Sequence, residues 1–281
     1  MSGFAASWLT LREPYDHAAR SPALADRFAA TLGHAPRLLD LACGTGSNLR
    51  YLAPRIPGAQ RWLCVDHDPA LLEAARVAVQ DWSHGLGWRY CGDGDHLRLA
   101  RAGGELSVEF AARDLVRSGL PGNGGIAGLS ASALLDLTSA AWLDRFAARC
   151  RGTPLLIALS FDGRLLFEPA APEDEEICRR FLAHQHTDKG FGRALGPDAA
   201  AHLAERLAAA GCAVTLEAAD WRLGPADEAL LRATLTGIVA AAREIAQDPR
   251  LEHWATLRGQ QLADGELRLT VGHVDLLALP G

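Results

Sequence analysis

Lysine is almost missing from this chain of 281 residues: of 28 basic side chains, 27 are Arg and one is Lys189. The chain also lacks a basic surplus, since its net charge is −6, so a nucleic-acid partner is not expected. It has no apolar run of the roughly 18 residues that a membrane-spanning helix needs, and no basic start typical of a signal peptide. With 49% hydrophobic residues, it is instead typical of a folded globular protein without a membrane partner.

Paired cysteines are also missing. No two of the six stand in a CxxC motif or at the spacing of a zinc site, so we predict no metal centre. Scattered thiols are typical of a reduced compartment, which predicts a cytoplasmic protein. The six are Cys43, Cys64, Cys91, Cys150, Cys178 and Cys212.

Strand and helix signals alternate along the first 80 residues, which predicts an α/β fold with a parallel sheet and helices on its faces. Residues 1–36 are predicted to be helical, with breaks at Pro14 and Pro22. We see no linker and predict a single domain over 1–281, with an N-terminal lid at 1–36 and helical insertions at 161–196 and 224–263. Strands are predicted at 37–42, 62–65, 105–112, 126–130, 154–160, 213–218 and 266–279, and helices at 48–53, 69–80, 139–150, 172–186 and 197–210.

One motif carries chemical information: residues 38–48, Leu-Leu-Asp-Leu-Ala-Cys-Gly-Thr-Gly-Ser-Asn. A strand runs into a Gly-rich turn that opens a helix, a geometry that lets a ligand approach bare backbone. A dinucleotide site needs a third Gly where this chain has Leu49, and an NTP phosphate loop needs Gly-Lys-Ser/Thr after the turn. Both of these cofactor classes are therefore disfavoured.

The motif resembles motif I of the class I S-adenosylmethionine-dependent methyltransferases, whose usual form is acid-x-Gly-x-Gly-x-Gly. Asp40, Ala42, Gly44 and Gly46 match it, with Ala42 in place of the first Gly. The resemblance covers about residues 37–160 and implies a Rossmann-like, seven-stranded, mostly parallel sheet. It also implies that the last strand, 266–279, lies antiparallel between the fifth and sixth.

The resemblance further implies roles in binding the cofactor, S-adenosyl-L-methionine, and the product, S-adenosyl-L-homocysteine. Asp66, at the end of the second strand, is expected to bind the ribose hydroxyls, and Asp114 the adenine amine. Arg12 is expected to meet the methionine carboxylate, and Ser130 to lie near the sulfonium. Asn48, His67 and Leu115 complete the predicted cofactor site.

The acceptor is expected at the carboxyl ends of the fourth and fifth strands. There we predict catalytic roles for Asp136 and for a polar cluster whose imidazoles are suited to general-base catalysis. Another interpretation of the cluster is a solvated helix end, with His184 and Lys189 complementing the helix dipole. The cluster consists of His184, His186, Asp188 and Lys189, and the predicted substrate-binding residues are Tyr15, Ser132, Asp162 and Phe191.

These observations predict a methyltransferase that acts on O, N or C of a small molecule. Two alternatives stay open: a non-catalytic cofactor-binding subunit, and a methyltransferase for protein or RNA. A homodimer is compatible with the sequence.

Overall fold

Helices and strands alternate in the computed structural model, which describes residues 5–92, 96–121 and 124–281. The first four residues of the predicted N-terminal lid lie outside these ranges. The helices are α1 (Ala6–Ala19), α2 (Pro22–Thr31), α3 (Ser47–Leu52), α4 (Pro69–Gly85), α5 (Ala140–Arg149), α6 (Asp174–Gln185), α7 (Ala199–Ala209), α8 (Glu228–Ile245) and α9 (Pro249–Ala263).

The strands form one sheet, in the order β3-β4-β5-β2-β1-β6-β7-β10-β8, with β9 paired to β10. Their bounds are β1 (Arg37–Leu41), β2 (Gln60–Asp66), β3 (Arg89–Tyr90), β4 (His96–Arg101), β5 (Gly104–Ala112), β6 (Ile126–Ser132), β7 (Leu155–Glu168), β8 (Ala213–Ala218), β9 (Trp221–Leu223) and β10 (Arg268–Leu279).

The mostly parallel α/β sheet is confirmed. Strands β5, β2, β1, β6 and β7 are parallel, and β10 lies antiparallel between β7 and β8 as predicted. Helices α2, α3 and α4 pack on one face of this sheet, and α5 and α7 on the other. The sheet is larger than the seven strands predicted, because β3, β4 and β9 extend it.

Two sequence predictions about local structure are wrong. Helix α1 continues through Pro14. Pro14 has no N–H to donate to the carbonyl of Thr10, but Thr10 is exposed, so water can bind this carbonyl instead. The fifth strand does not end at Ser160: β7 continues to Glu168, paired with the first half of β10. The segment predicted as an insertion from residue 161 therefore begins as strand.

The extension of β7 and β10 beyond the carboxyl edge of the parallel strands supports a third hydrophobic cluster. Helices α6, α8 and α9 pack on it, and α1 contributes Trp8, Leu11 and Tyr15. This cluster lies beside the carboxyl edge of the parallel strands, where the Gly-rich loop is located. The fold therefore brings the N-terminal helix and the C-terminal strand to the same end of the sheet.

Candidate active site

The Gly-rich loop turns sharply between β1 and α3. Ala42, Gly44 and Gly46 have positive φ values of 49°, 53° and 79°. Glycine adopts this left-handed conformation without strain, whereas Ala42 must be held in it by its surroundings. The N–H of Cys43 donates to the carbonyl of Val65 at 3.0 Å, which ties the loop to the end of β2.

Asp66, the predicted ribose acid, holds the same loop from the neighbouring strand. Its Oδ2 accepts the N–H of Gly44 at 2.9 Å, and its Oδ1 accepts the N–H of Asp68 at 3.0 Å. The half-exposed ring of His67 lies 3.2 Å from Oδ1. Each carboxylate oxygen keeps a further lone pair for a ligand hydroxyl.

Asp40 lies at the centre of a buried polar chain beneath the loop. Its Oδ1 accepts hydrogen bonds from Nδ2 of Asn48 at 2.5 Å and from Oγ of Ser130 at 2.8 Å. Asn48 in turn accepts a hydrogen bond from Arg20 at 2.7 Å. The Asn48 amide and the Ser130 hydroxyl are therefore engaged with protein groups, and they position the Asp40 carboxylate rather than face a ligand directly.

This chain of groups fits a ligand with N–H or O–H donors at the loop. Oδ2 of Asp40 is buried without a hydrogen-bond partner among the described residues, and so is Oγ1 of Thr45. Burial raises the pKa of Asp40 to about 6, against the lowering effect of its hydrogen bonds. Leaving a buried acceptor unpaired costs free energy, so a donor from a ligand stabilises it. S-Adenosylmethionine carries such donors on its amino group and its ribose.

Asp114 and Leu115 follow β5 at the adenine side of the predicted site. Asp114 is partly exposed and accepts the N–H groups of Val116 and Arg117 at 2.8 and 3.0 Å. These backbone hydrogen bonds, that of Arg117 first, lower its pKa. Leu115 is buried and its carbonyl accepts the indole N–H of Trp142. Both residues lie where the sequence placed them, after the third parallel strand.

Helix α1 lies across the loop. Glu13 is paired with Arg50 of α3, and Nε2 of His17 lies 3.0 Å from Oγ of Ser47. A Cβ atom at Gly44 would lie 3.0 Å from Cδ1 of Leu9, so the helix touches the bare backbone. The first helix therefore covers the position at which the motif predicts a cofactor.

Arg12, on the same helix, is not free for a methionine carboxylate in this structure. Its guanidinium donates to both oxygens of Asp16, at 2.8 and 3.2 Å. It also lies 4.8 Å from the ring centroid of Trp221. The predicted carboxylate contact therefore requires Arg12 to exchange its partner.

Asp136 is the best-placed of the predicted catalytic residues. It follows β6, and its Oδ1 is buried with no hydrogen-bond partner among the described residues. Burial raises its pKa to about 6, although the charges of Arg12 and Lys189 act in the opposite direction. A carboxylate with these neighbours is suited to accept a proton near neutral pH.

The cluster that follows α6 divides into two pairs of residues. Nζ of Lys189 lies 3.2 Å from Nδ1 of His184, and burial lowers the pKa of both side chains. His186 and Asp188 instead hold the loop: Nδ1 of His186 lies 3.2 Å from the carbonyl oxygen of Ala194. The Asp188 carboxylate accepts the N–H groups of Gly190 and Gly192. Nε2 of His184 also lies 3.1 Å from Oε2 of Glu244, so His184 is held between Lys189 and Glu244.

Three predicted substrate-binding residues have structural partners instead. Asp162 lies within β7 rather than in a loop, and Arg164 donates to it. The ring of Phe191 packs edge-on against Trp142 at 5.3 Å. Tyr15 packs in the third hydrophobic cluster, where burial and then the nearby Asp227 raise its pKa. Ser132 is partly buried and is the last residue of β6, which runs two residues beyond the predicted strand.

Sequence reasoning missed Arg20 and His273. Arg20 had no local signal, because its partner Asn48 is 28 residues away. His273 had one: with Asp275, it interrupts the apolar pattern of a strand predicted to lie inside a sheet. A polar residue in such a strand is a reason to look for a site.

Residues 38–113 match the family model described as a methyltransferase domain. The matched segment, about a quarter of the chain, is thus similar to a methyltransferase domain. It spans β1 to the end of β5, which is the part that holds Asp40, Asp66 and the Gly-rich loop.

No curated protein matches the chain. Several solved structures are similar to it at low sequence identity. A SAM-dependent methyltransferase from Geobacter sulfurreducens, in complex with S-adenosyl-L-homocysteine, has 15% identity and a TM-score of 0.48 over 100% of both chains. The YcgJ protein from Bacillus subtilis has 10% identity and a TM-score of 0.48, over 92% of this chain and 98% of that one. Geranyl diphosphate C-methyltransferase from Streptomyces coelicolor A3(2) has 12% identity and a TM-score of 0.42, over 92% and 80%.

Within the described ranges no helix is long and apolar enough to cross a bilayer, and no group of three or more His, Cys, Asp or Glu is placed to hold a metal. A groove of about 410 Å³, lined by Arg222, Pro225 and Arg268 among others, lies on the extension of β7 and β10. None of the predicted site residues lines this groove.

Proposed function

We propose that the protein is an S-adenosylmethionine-dependent methyltransferase that acts on a hydroxyl or amine group of a small molecule, and that Asp136 faces the reacting group. The observation that carries the proposal is the buried Oδ1 of Asp136, which follows the carboxyl end of β6 and has no hydrogen-bond partner among the described residues. A hydroxyl or amine acceptor supplies the donor that this oxygen lacks. The place also agrees with the general rule for ligand sites in open α/β sheets.

When bound, S-adenosylmethionine supplies a methyl group on a positively charged sulfur and leaves as S-adenosylhomocysteine. The residues of the chain bind and orient the reactants. Asp40, Asp66, Gly44 and Gly46 form the cofactor cradle, and Asp136 takes the proton that the acceptor loses. The ammonium group of Lys189 stabilises the Asp136 carboxylate between turnovers, because it is one of the two charges that act on it.

We further propose that α1 is a lid. Its contacts with Ser47, Arg50 and the Gly44 backbone close the cofactor cradle, and its side chains Trp8, Leu11 and Tyr15 pack against the acceptor side. A helix in this position excludes water from the reacting groups. The helical segments 174–185 and 228–263 then form the outer wall of the acceptor site, and the domain extends over the whole chain.

The test uses methyl-labelled S-adenosylmethionine with a fractionated cell extract. We expect label in a small-molecule fraction with the wild-type protein and none with Asp136→Asn, while both proteins bind S-adenosylhomocysteine with equal affinity in a calorimetric titration. Asp26→Asn is the matched control, because that carboxylate lies on α2 and is 68% exposed. Label in protein or RNA would overturn the substrate class. Binding of the cofactor with no label in any fraction would favour a non-catalytic binding subunit.

A further inference from the structure

His273 is a buried histidine that the reaction described above does not use. It lies in β10 and is 5% exposed, and its Nδ1 has no hydrogen-bond partner among the described residues. Its backbone N–H donates to Oδ1 of Asp220 at 3.4 Å, and a hydrogen bond with the backbone of Val271 acts to raise its pKa. A buried ring nitrogen without a partner costs stability, so its retention in a core strand points to a ligand.

The surroundings of His273 are aromatic. Its ring centroid lies 5.1 Å from that of Trp221 and 6.3 Å from that of Phe161. The ring of Trp221 packs edge-on against that of Trp8, with 6.3 Å between the centroids, and the ring of Phe161 packs edge-on against that of Phe181 at 5.7 Å. Rings from β7 and β9 thus contact the imidazole, and rings from α6 and α1 pack behind them. Such a lining favours a planar, apolar ligand, because aromatic rings prefer stacked and edge-on partners.

The charges around this imidazole balance. Arg12 lies over the face of Trp221 and is paired with Asp16. On the far side, Arg164 is paired with Asp162 and Asp220. Burial first, and then the charge of Arg12, lower the pKa of His273 to about 3, so the ring is neutral at physiological pH. Arg12 would repel a cation bound here, and no unpaired positive charge is available to attract an anion. The position therefore suits an uncharged ligand.

Helix α1 connects the surroundings of His273 to the cofactor loop. The guanidinium of Arg12 and the ring of Trp8 lie 4.8 and 6.3 Å from the ring centroid of Trp221, and Leu9 of the same helix approaches the backbone of Gly44. The helix that covers the loop therefore also contacts the aromatic lining of His273.

We infer that His273, Trp221 and Phe161 bind the methyl acceptor, and that this acceptor is a small, uncharged aromatic compound with a hydroxyl group. The ring packs against Trp221 and Phe161, and a hydroxyl donates its proton to Nδ1 of His273. This inference rests on the proposed function, since it identifies the substrate class of the same site. His273 is a binding residue here, and Asp136 remains the proton acceptor.

The experiment titrates three probes into the protein saturated with S-adenosylhomocysteine, and measures binding by calorimetry. Phenol has both the ring and the donor, anisole has the ring without the donor, and cyclohexanol has the donor without the ring. We expect phenol to bind at least about 10-fold more tightly than either of the others, since one hydrogen bond or one ring contact is worth about that much. Equal affinity for phenol and anisole, or for phenol and cyclohexanol, would overturn the inference.

Two variants separate a binding role from a packing role. His273→Phe removes the nitrogen and fills the space, and we expect it to lose phenol binding at least 10-fold while its Tm stays equal or rises. His273→Asn keeps a polar atom near Nδ1 and should retain part of the affinity. His253→Phe, on a side chain that is 71% exposed, is the matched control. A His273→Phe variant with unchanged phenol affinity would contradict the assignment.

The proposed function fails separately from this inference. If the wild-type protein does not bind S-adenosylhomocysteine, the methyl-transfer proposal is wrong. The affinities of the three probes, measured in the absence of S-adenosylhomocysteine, then still test the aromatic site. If S-adenosylhomocysteine binds and phenol is not preferred, the methyl-transfer proposal stands and the substrate class is wrong.

Discussion

The N–H of Gly44 donates a hydrogen bond to Oδ2 of Asp66 at 2.9 Å, and this bond joins the two sequence signals of the cofactor site. The glycine belongs to the loop after β1 and the aspartate to the end of β2. Because β1 and β2 are parallel neighbours, their carboxyl ends meet at the same edge. The acid that was predicted to bind the ribose thus also shapes the loop.

Asp66→Asn is predicted to weaken binding of S-adenosylhomocysteine by about 10- to 100-fold. The amide cannot accept at both positions, so the charge-assisted bond to Gly44 or the bond to Asp68 is lost, and such bonds contribute about 1.5–3 kcal/mol. Calorimetry measures the affinity. Asp68→Asn is the control, because Asn also caps a helix well and α4 keeps its first turn. Equal affinities of the two variants would show that Asp66 does not support the loop.

Ser130→Ala is predicted to lower the free energy of unfolding by about 1–3 kcal/mol, because it leaves Oδ1 of the buried Asp40 with one donor fewer. Chemical denaturation measures this. Ser132→Ala, two residues further along β6 and partly exposed, should change stability by less than about 0.5 kcal/mol. A Ser130→Ala protein as stable as wild type would mean that the hydroxyl serves a ligand instead of Asp40.

The stability of the ligand-free protein is predicted to fall as the pH rises from about 4 to about 7. Burial raises the pKa of Asp136 to about 6, and a carboxyl in the unfolded chain ionises near 4. Between these values the folded state binds more protons than the unfolded state, so the free energy of unfolding decreases with pH, by up to roughly 3 kcal/mol for this group. Below pH 4 both states are protonated and the effect vanishes.

Asp136→Asn should remove this share of the pH dependence, so that the variant gains stability over wild type at pH 7 but not at pH 4. Denaturation midpoints at the two pH values measure the difference. Asp26→Asn, whose side chain is 68% exposed, should reproduce the wild-type profile. A variant that is destabilised at pH 7 would show that the carboxylate has a partner that stabilises its charged form.

The single lysine gives a direct probe of the acceptor site. Burial lowers the pKa of the Lys189 amine, and Asp136 and Glu244 raise it in part. The pH dependence of acylation at Lys189, followed by peptide mass spectrometry, should therefore give a pKa below the ordinary 10.5, and Asp136→Asn should lower it further. Exposed Glu73→Gln should leave it unchanged. No response to Asp136→Asn would place the two side chains out of electrostatic contact.

The cofactor side could be predicted because its signals are local and their register is fixed by the sheet. The pattern of residues 38–46 specifies a strand and a left-handed turn by itself, and the helix start at Asp68–Pro69 fixes the end of β2. The acceptor side could not be predicted in the same way. The contact between Arg12 and Trp221 joins positions 209 residues apart, and the predicted break at Pro14 failed because a helix tolerates a proline whose lost carbonyl partner faces water.

The sequence by itself determined the alternating α/β order, the Gly-rich turn and the acids that follow the second and third parallel strands, because each depends on short-range backbone preference and on strand periodicity. The tertiary structure alone decided which polar atoms are left without partners. Asp162 and Nδ1 of His186 have hydrogen-bond partners, whereas Oδ1 of Asp136 and Nδ1 of His273 are buried with no partner among the described residues. Burial and hydrogen bonding depend on what distant segments bring to each side chain, and only the folded chain fixes that.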